Sequence, residues 1–230
     1  MKIDHNIIVT KIVTMNITPN KRLNEIASRE FEPQSPMGVA SVLEAWLEKF
    51  PKESKFLKSH SSYLDRKKVK TICQSKKYTL NQKFLLIMLW GYGSNGVGPS
   101  RTFEIINQEN FKIEINKTYR LSRSGRHIDA IANLATNSIK GFGPAYGTKF
   151  VFFNSPWSRV CAPIYDKRVR EWLQKYAKKD FDSTVLKKVQ WNTNVYTQWS
   201  MWLQYQANSL DLNWWDLEYL IFDDSKKIRR

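Results

Sequence analysis

The sequence has few of the residues from which disulfides, metal centres and hydrolytic triads are built. Its two cysteines, Cys73 and Cys161, are far apart in the sequence and no further cysteine lies near either of them, so they indicate neither a disulfide framework nor a zinc site. The three histidines are scattered among polar residues, which leaves no raw material for a histidine metal centre or a Ser-His-Asp arrangement. We therefore expect a protein of a reducing cytosol whose chemistry uses no metal and no cofactor.

Long apolar runs and acidic residues are also scarce. No stretch approaches about eighteen apolar residues, and no basic region followed by a long apolar core opens the chain, so neither membrane spanning nor export is expected. Aspartate and glutamate number 21 against 37 lysines and arginines, which gives a net charge of +16. This excess favours a polyanion as partner, bound in a salt-dependent way. A merely basic protein without such a partner is the alternative.

Helical periodicity is what the chain does have. After residue 34, apolar residues recur with a period near 3.6 almost everywhere, and the 42% hydrophobic share suffices for a packed core. We predict an all-α domain over 35–230, with its helices in two lobes around a cleft, after an irregular N-terminal segment over 1–34. The lysine-rich stretch 52–78 is interpreted mainly as a solvated helix face, with contact to a polyanion as the alternative. Helices are expected over about 35–50, 79–91, 124–139, 144–153, 166–176, 195–210 and 213–221.

A glycine-rich stretch follows the second of these helices. Gly91, Gly93, Gly96 and Gly98 lie so close together that they predict a loop rather than a helix. Their spacing resembles a nucleotide-binding Gly-x-Gly-x-x-Gly only superficially, because a helix rather than a strand precedes it and no Walker lysine follows. We interpret this stretch as a loop that helps to shape a pocket.

The most informative stretch runs from residue 139 to 170. Gly141-Phe-Gly143 stands between two predicted helices, where such a turn presents backbone N–H groups that bind phosphate without a side chain. Lys149 lies just inside the second helix, and Asp166 follows 17 residues later at the head of another helix. Two registers fit the turn, since either Gly141-Phe-Gly143 or Ala145-Tyr-Gly147 can occupy it.

This stretch resembles the hairpin of the helix-hairpin-helix DNA glycosylases, and within them the 8-oxoguanine glycosylase branch, whose hairpin reads roughly Leu-Pro-Gly-Val-Gly-x-Lys before a later Val-Asp. The resemblance covers roughly residues 80–223, and the pairing of Trp-Gly-Tyr-Gly at 90–93 with Gly-Pro-Ser-Arg-Thr at 98–102 is similar to small prokaryotic members. It implies the helix-hairpin-helix glycosylase fold with a base-binding cleft, a cytoplasmic, nucleoid-associated monomer, and double-stranded DNA with a modified base as partner. Because many proteins use this hairpin only to grip DNA, a non-catalytic DNA-binding module is the alternative.

The resemblance assigns the chemistry to two residues. Asp166 is implied to stabilise the positive charge that develops on the deoxyribose when the N-glycosidic bond breaks, and a plain helix N-cap is the alternative. Lys149 is implied to attack C1′, form a Schiff base and permit strand nicking by β-elimination, with phosphate contact or a solvated position as alternatives. In the first register the family's lysine position falls on Ala145, and in the second it falls on Lys149.

Other residues near Lys149 and Asp166 are expected to contact DNA or to hold a flipped base. The residues expected at DNA are Arg101, Lys140, Gly141, Gly143, Gly147, Thr148, Lys167, Arg168 and Arg170. A flipped base is held by stacking and by hydrogen bonds along its edge. The candidates are Trp90, Tyr92, Phe142, Tyr146, Trp157 and Tyr165 for stacking, and Gln198 and Gln204 for hydrogen bonding.

The sequence leaves the identity of the base open. The resemblance favours an 8-oxoguanine-like base. A roomy pocket behind the glycine-rich stretch would instead suit bulky hypermodified bases, such as glucosylated 5-hydroxymethylcytosine of phage DNA, and would indicate an antiviral role.

Overall fold

A computed structural model of the protein describes residues 20–28, 38–62, 64–137, 139–181, 186 and 191–229. Within these residues the chain is helical and has no β-strand, which confirms the all-α prediction. Short 3₁₀ turns cover Ala40–Val42, Pro51–Glu53, Lys178–Asp180 and Ser225–Arg229. The α-helices are α1 (Lys21–Ala27), α2 (Leu43–Lys49), α3 (Ser54–Ser61), α4 (Arg66–Gln74), α5 (Leu80–Tyr92), α6 (Gly98–Ile106), α7 (Phe111–Arg123), α8 (His127–Thr136), α9 (Pro144–Asn154), α10 (Lys167–Tyr176), α11 (Thr193–Ser209) and α12 (Trp214–Asp224).

Helix α9 lies at the centre of the packing. It contacts α4, α5, α7 and α8, and every residue from 147 to 154 is buried. A helix with no solvated face is typical of such a position. Two side chains of α4 bond the carbonyls at its C-terminal end, since Gln74 Nε2 donates to Phe153 O (2.8 Å) and Lys70 Nζ donates to Phe152 O (3.3 Å). These bonds fix the far end of the helix that carries the hairpin motif.

The C-terminal helices agree with the expected pattern. The helices expected over 166–176, 195–210 and 213–221 are α10, α11 and α12, with boundaries shifted by a few residues at most. Helix α12 contacts α1, α10 and α11, and α11 also contacts α8. Trp172 Nε1 on α10 donates to Asp224 Oδ2 on α12 at 3.0 Å, so a buried carboxylate joins these two helices. None of the described helices is long and apolar enough to cross a membrane.

The segment expected to be irregular contains a helix. Residues 1–19 lie outside the described residues, but Lys21–Ala27 forms α1, so the expectation is wrong there. Asn20 caps α1, and Arg22 reaches Asp224 with Nη2 2.6 Å from Oδ1. The periodicity does not reveal this helix because its two buried residues, Leu23 and Ile26, make too short a stripe.

Two further helices differ from the sequence-based expectation. The helix expected over 35–50 starts as a 3₁₀ turn at Ala40 and becomes α2 at Leu43, while 29–37 lie outside the described residues. The helix expected over 124–139 is only α8, because Gly125 takes a φ of 82° and separates it from α7. Helix α7 itself has no counterpart among the expected helices.

The glycine-rich stretch is a loop in its middle, as expected, but it is helical at both ends, where the expectation is wrong. Helix α5 continues through Gly91 to Tyr92, Gly98 begins α6, and only 93–97 form a loop. A Cβ on Gly91 would lie 3.1 Å from the ring of Tyr146, and one on Gly98 would lie 2.9 Å from Tyr92. These two glycines therefore permit close packing inside helices, which a simple count of glycines does not distinguish from a loop.

A capping box begins α5, the helix that the sequence predicts over 79–91. Thr79 Oγ1 accepts the N–H of Gln82 at 3.2 Å, and Gln82 Oε1 accepts the N–H of Thr79 at 3.0 Å. We predict that Thr79→Ala lowers the free energy of unfolding by about 1 kcal/mol, because it leaves a helix N–H without its acceptor. Urea unfolding measures this loss.

A matched control is Thr71→Ala, whose hydroxyl donates to Lys67 O on an exposed part of α4. It is expected to change the free energy of unfolding by less than about 0.5 kcal/mol. An equal loss in both variants would show that the cap contributes nothing specific.

Candidate active site

The hairpin turn lies between α8 and α9. Gly141 takes a φ of 80°, the N–H of Phe142 donates to Ile139 O at 3.0 Å, and Gly143 is the N-cap of α9. Gln108 clamps the turn, since its side-chain amide exchanges two hydrogen bonds of 2.8 Å with the backbone of Lys140. The turn is therefore held in a fixed shape by a residue of the segment between α6 and α7.

This geometry decides the register of the turn. The turn is Gly141-Phe-Gly143, and the alternative is wrong because residues 145–147 lie in the first turns of α9. Gly141 is left-handed, as glycine at the C-cap of a helix often is, but α8 ends at Thr136 and its C-cap is Asn137, so Gly141 belongs to the turn. Lys149 thus lies one helical turn beyond Ala145, the position at which the family pattern has its lysine.

Lys149 and Asp166 form a buried ion pair. Lys149 Nζ lies 3.2 Å from Asp166 Oδ2 and donates to Ala145 O at 3.1 Å. The two side chains are only 10% and 14% exposed, so the pair is largely removed from water. Charge-assisted hydrogen bonds of this kind are stronger than those between neutral groups. The predicted partners, 17 residues apart in the chain, are in direct contact.

Asp166 uses its second oxygen to cap α10. Oδ1 accepts the backbone N–H groups of Arg168 (3.0 Å) and Val169 (3.2 Å). Burial on its own would raise the pKa of this carboxyl, but the Lys149 ammonium and the two backbone N–H groups outweigh burial and hold the pKa below its ordinary value. Asp166 is therefore both an N-cap and an ionised carboxylate at neutral pH, with one oxygen for each role.

The loop before Asp166 is tied to two helices. Thr148 Oγ1 on α9 accepts the N–H of Tyr165 at 3.0 Å, and Trp199 Nε1 on α11 donates to Ile164 O at 3.0 Å. Thr148 also donates to Pro144 O and is 1% exposed. This position corrects its expected role: Thr148 cannot reach DNA, and it fixes the loop that delivers Asp166.

A cavity of about 340 Å³ opens beside the ion pair. Its volume falls in the range of small-molecule sites in proteins. In the described part of the chain no group of three or more histidine, cysteine, aspartate or glutamate residues could hold a metal ion. The cavity is lined by the segment 90–94 and by Lys149, Asp166, Arg66, Arg168, Ile164 and Phe222.

Three of the predicted aromatic residues lie at or beside the cavity. Trp90 and Tyr92 line it, and the ring of Tyr146 packs on that of Tyr92 with centroids 4.5 Å apart. Burial raises the pKa of both tyrosine hydroxyls, so they stay neutral at physiological pH. The cavity thus has one aromatic wall formed by the end of α5.

The other residues expected at a flipped base lie away from the cavity lining. Phe142 and Tyr165 are 1% and 2% exposed, because they belong to the hydrophobic core. Trp157 stacks on Trp215 with centroids 5.5 Å apart. Gln198 and Gln204 are half-buried on α11, and neither lines the cavity. In the described conformation these five residues do not line the cavity, which corrects their expected place in a pocket.

The residues expected at DNA divide into exposed and buried groups. Arg101, Lys140, Gly141 and Lys167 are exposed, and Gly143 is partly exposed at the start of α9. Gly147 is buried in α9, where a Cβ would clash with the ring of Trp191, so it cannot approach a phosphate. Arg168 lines the cavity with its guanidinium 5.0 Å from the ring of Phe222, and Arg170 Nη1 donates to Leu186 O at 3.4 Å.

Sequence reasoning does not identify three of the cavity residues, Arg66, Ile164 and Phe222. Arg66 lies in the lysine-rich stretch, where most lysines are indeed exposed, and its own burial has no local signal. Ile164 and Phe222 are brought in from two other segments, whereas Ser94 lies in the glycine-rich stretch that is expected to shape a pocket. Only the tertiary packing of these segments joins them, so a single sequence offers no pattern that would have found them.

The sequence was also compared with models of protein families and with known proteins. A model of the family described as "Putative 8-oxoguanine DNA glycosylase OGG-like protein" matches residues 34–222. The match covers most of the chain, and the protein belongs to this family, which confirms the resemblance seen in the hairpin and in Asp166. No curated protein and no solved structure matches the chain significantly.

The ion pair generates a prediction for stability. In a double-mutant cycle with Lys149→Met and Asp166→Asn, we expect a coupling free energy of about 2 kcal/mol at pH 7, because the pair is charge-assisted and shielded from water. The folded-state pKa of Asp166 lies below the ordinary value of 3.8, so the coupling is present above that pH and is lost as the pH falls through the folded pKa. Urea unfolding of the four proteins at decreasing pH measures it.

The exposed pair of Lys167 and Glu171 serves as the control for this cycle. Its nitrogen and oxygen are 3.7 Å apart and the lysine side chain is 68% exposed, so a coupling below about 0.5 kcal/mol is expected. Equal couplings for the two pairs, or a coupling for Lys149 and Asp166 that persists in acid, would contradict the assigned geometry.

Proposed function

We propose that the protein is a DNA glycosylase with associated lyase activity that excises a modified base from double-stranded DNA. The observation that carries this proposal is the ion pair of Lys149 and Asp166 in the wall of a base-sized cavity. Membership of the OGG-like family supports the same activity. The net charge of +16 supports DNA as the partner, because it favours a polyanion.

In this proposal the hairpin binds phosphates of the DNA backbone, and the flipped base binds in the cavity. Gly143 caps α9, so the positive end of that helix dipole lies at the turn, where a phosphate is stabilised. Lys140 and Gly141 are exposed beside it. Glycosylases cannot reach their target atom inside a duplex and must extrude the nucleotide. Trp90 and Tyr92 would then offer rings against which the base packs.

Base excision would use the carboxylate of Asp166. As the bond between C1′ and the base nitrogen breaks, positive charge develops on the sugar, and a carboxylate held nearby stabilises it. The depressed pKa of Asp166 keeps this charge available at neutral pH. The capping bonds from Arg168 and Val169 also fix the position of the carboxylate before the substrate arrives.

The lyase step would use Lys149. Its ammonium gives a proton to the departing base, which leaves with the electron pair of the glycosidic bond, and the neutral Nζ forms a bond to C1′. A second proton moves from Nζ to the ring oxygen as the sugar opens, which leaves a Schiff base. Loss of a C2′ proton then expels the 3′ phosphate by β-elimination, and water releases Lys149.

The burial of the pair favours an enzyme over a non-catalytic DNA-binding module. A lysine that only contacts phosphate would need an exposed head group, whereas the side chain of Lys149 is 10% exposed and bonded to Asp166. An aspartate that only caps a helix would need one oxygen, whereas Oδ2 of Asp166 is turned to Lys149. Neither position is explained by binding alone.

The size of the cavity favours a base without a bulky substituent. Its volume of about 340 Å³ is at the lower end of the range for small-molecule sites, roughly 300 to 1,000 Å³. We therefore place an oxidised purine such as 8-oxoguanine ahead of a glucosylated 5-hydroxymethylcytosine, which would require the cavity to widen.

Borohydride trapping tests the role of Lys149. With a duplex that contains the excised base, we predict a covalent protein–DNA adduct in the wild type and none in Lys149→Gln, because reduction fixes only a Schiff base. Lys167→Gln is the matched control, since it removes an exposed lysine next to Asp166. It should retain the adduct.

Two results would change the mechanism in different ways. An adduct that persists in Lys149→Gln would assign the nucleophile to another residue. Base release by the wild type without any adduct would indicate that water attacks C1′ and that Lys149 only orients Asp166.

A further inference from the structure

The cavity contains a buried arginine that the proposed mechanism does not use. Arg66 is the first residue of α4, lines the cavity and is 8% exposed. Its guanidinium carbon lies 4.9 Å from the ring centroid of Phe152, 5.5 Å from that of Tyr219 and 6.0 Å from that of Trp90. Aromatic faces on several sides hold a cation in one orientation.

A buried glutamate neutralises this arginine. Arg66 Nη1 is in contact with Glu218 Oε2, and Glu218 is fully buried. Burial raises the pKa of the Glu218 carboxyl, and the guanidinium of Arg66 opposes that shift. A buried ion pair is often no more stable than apolar residues of the same volume, so stability by itself does not account for it.

Two buried hydrogen-bond donors belong to residues that line the cavity and have no acceptor. Among the described residues, neither Arg66 Nε nor Trp90 Nε1 has a hydrogen-bond partner, although both atoms are buried. Both groups can only donate. A buried donor without an acceptor costs about 1 to 3 kcal/mol, which a base with a suitably placed acceptor would recover by displacing the atoms that now cover the donor.

Glu218, whose carboxylate oxygens have no hydrogen-bond partner among the described residues besides the ion pair with Arg66, does not line the cavity, and the charged side chains that do line it supply no free acceptor. Arg168 is a third cation beside Arg66 and Lys149. Asp166, the carboxylate of the lining, is engaged with Lys149 through one oxygen and with α10 through the other. A group that enters beside Trp90 therefore meets mainly donors from these side chains.

We infer that Arg66 is a specificity-determining residue, which with the indole N–H of Trp90 selects bases that present exocyclic carbonyl oxygens over bases that present amino groups. This inference rests on the proposed function, since it deepens the recognition step of the same cavity. A carbonyl oxygen accepts from these donors. An amino group at the same place is itself a donor, so neither it nor the N–H groups of Arg66 and Trp90 would find an acceptor.

The test compares bases that differ in this one group. Duplexes carry uracil or cytosine, and hypoxanthine or adenine, each opposite a tetrahydrofuran residue so that base pairing does not differ between them. A 2′-fluoro substituent on the target nucleotide prevents excision and permits equilibrium binding. We expect the wild type to bind the carbonyl member of each pair about tenfold more tightly or better.

Two variants assign this preference to Arg66. Arg66→Lys keeps a cation beside Glu218 but loses the planar donors. Arg66→Met combined with Glu218→Gln removes both charges at similar volume, so no uncompensated charge stays buried. We expect the preference to fall to about onefold to threefold in both, while affinity for a duplex with a tetrahydrofuran residue in place of the target nucleotide stays unchanged. If the double variant does not fold, Arg66→Lys decides.

The outcomes separate this inference from the proposed function. A preference that survives in the variants, or a loss of affinity that is equal for the tetrahydrofuran duplex, would overturn the role of Arg66 even if wild-type protein releases bases. A preference that depends on Arg66 would support its role in recognition. If unfluorinated duplexes then yield no free base, that second result would overturn the glycosylase activity and leave the role of Arg66 intact.

Discussion

The ion pair between Lys149 and Asp166 is the contact on which the site depends. It joins α9, the buried central helix, to the N-terminus of α10, and its two members come from opposite sides of the loop over 155–165. Removing a charge from water costs several kcal/mol unless a partner and further hydrogen bonds compensate. Ala145 O supplies such a bond to the lysine, and the N–H groups of α10 supply two to the carboxylate.

The surrounding contacts serve to keep this pair in place. Gln108 fixes the turn that precedes α9, and Thr148 and Trp199 fix the loop that precedes Asp166. None of these three side chains lines the cavity. They act through the backbone, and the short distance between Nζ and Oδ2 is their combined result.

The sequence reveals those parts of the structure that are encoded within a few neighbouring residues. The capping box at Thr79, the N-cap at Asp166 and the turn around Gly141 each have a local hydrogen-bonding or conformational requirement, so residue type and spacing predict them. Helix α1 is too short to have a clear period, and Gly91 lies inside a helix at a point where its missing side chain leaves room for Tyr146 of α9. The number of glycines in a stretch of sequence does not predict such a close contact between two helices.

The part of the cavity around Arg66 could not be predicted either, because it too depends on contacts between distant segments of the chain. Arg66 is one of many basic residues in its stretch of sequence. It differs from them because Glu218 and three aromatic rings surround it, and these residues belong to α9, α12 and α5. Burial of a charge is a property of tertiary packing, and the local pattern around Arg66 is that of an ordinary solvated helix face. The residues around Lys149 and Asp166 could be predicted because they also shape local structure, as the N-cap at Asp166 and the turn around Gly141 show.

The most direct test is the release of free base, measured by mass spectrometry, from duplexes and phage DNAs that contain 8-oxoguanine, uracil, alkylated purines or glucosylated cytosines. The account predicts release of one class of modified base by the wild type. It also predicts release at least about a hundredfold slower from Asp166→Asn, with DNA affinity retained, because the charge that stabilises the sugar cation is lost while the cap keeps its shape. Wild-type turnover by Asp166→Asn, or no free base from any DNA, would contradict it.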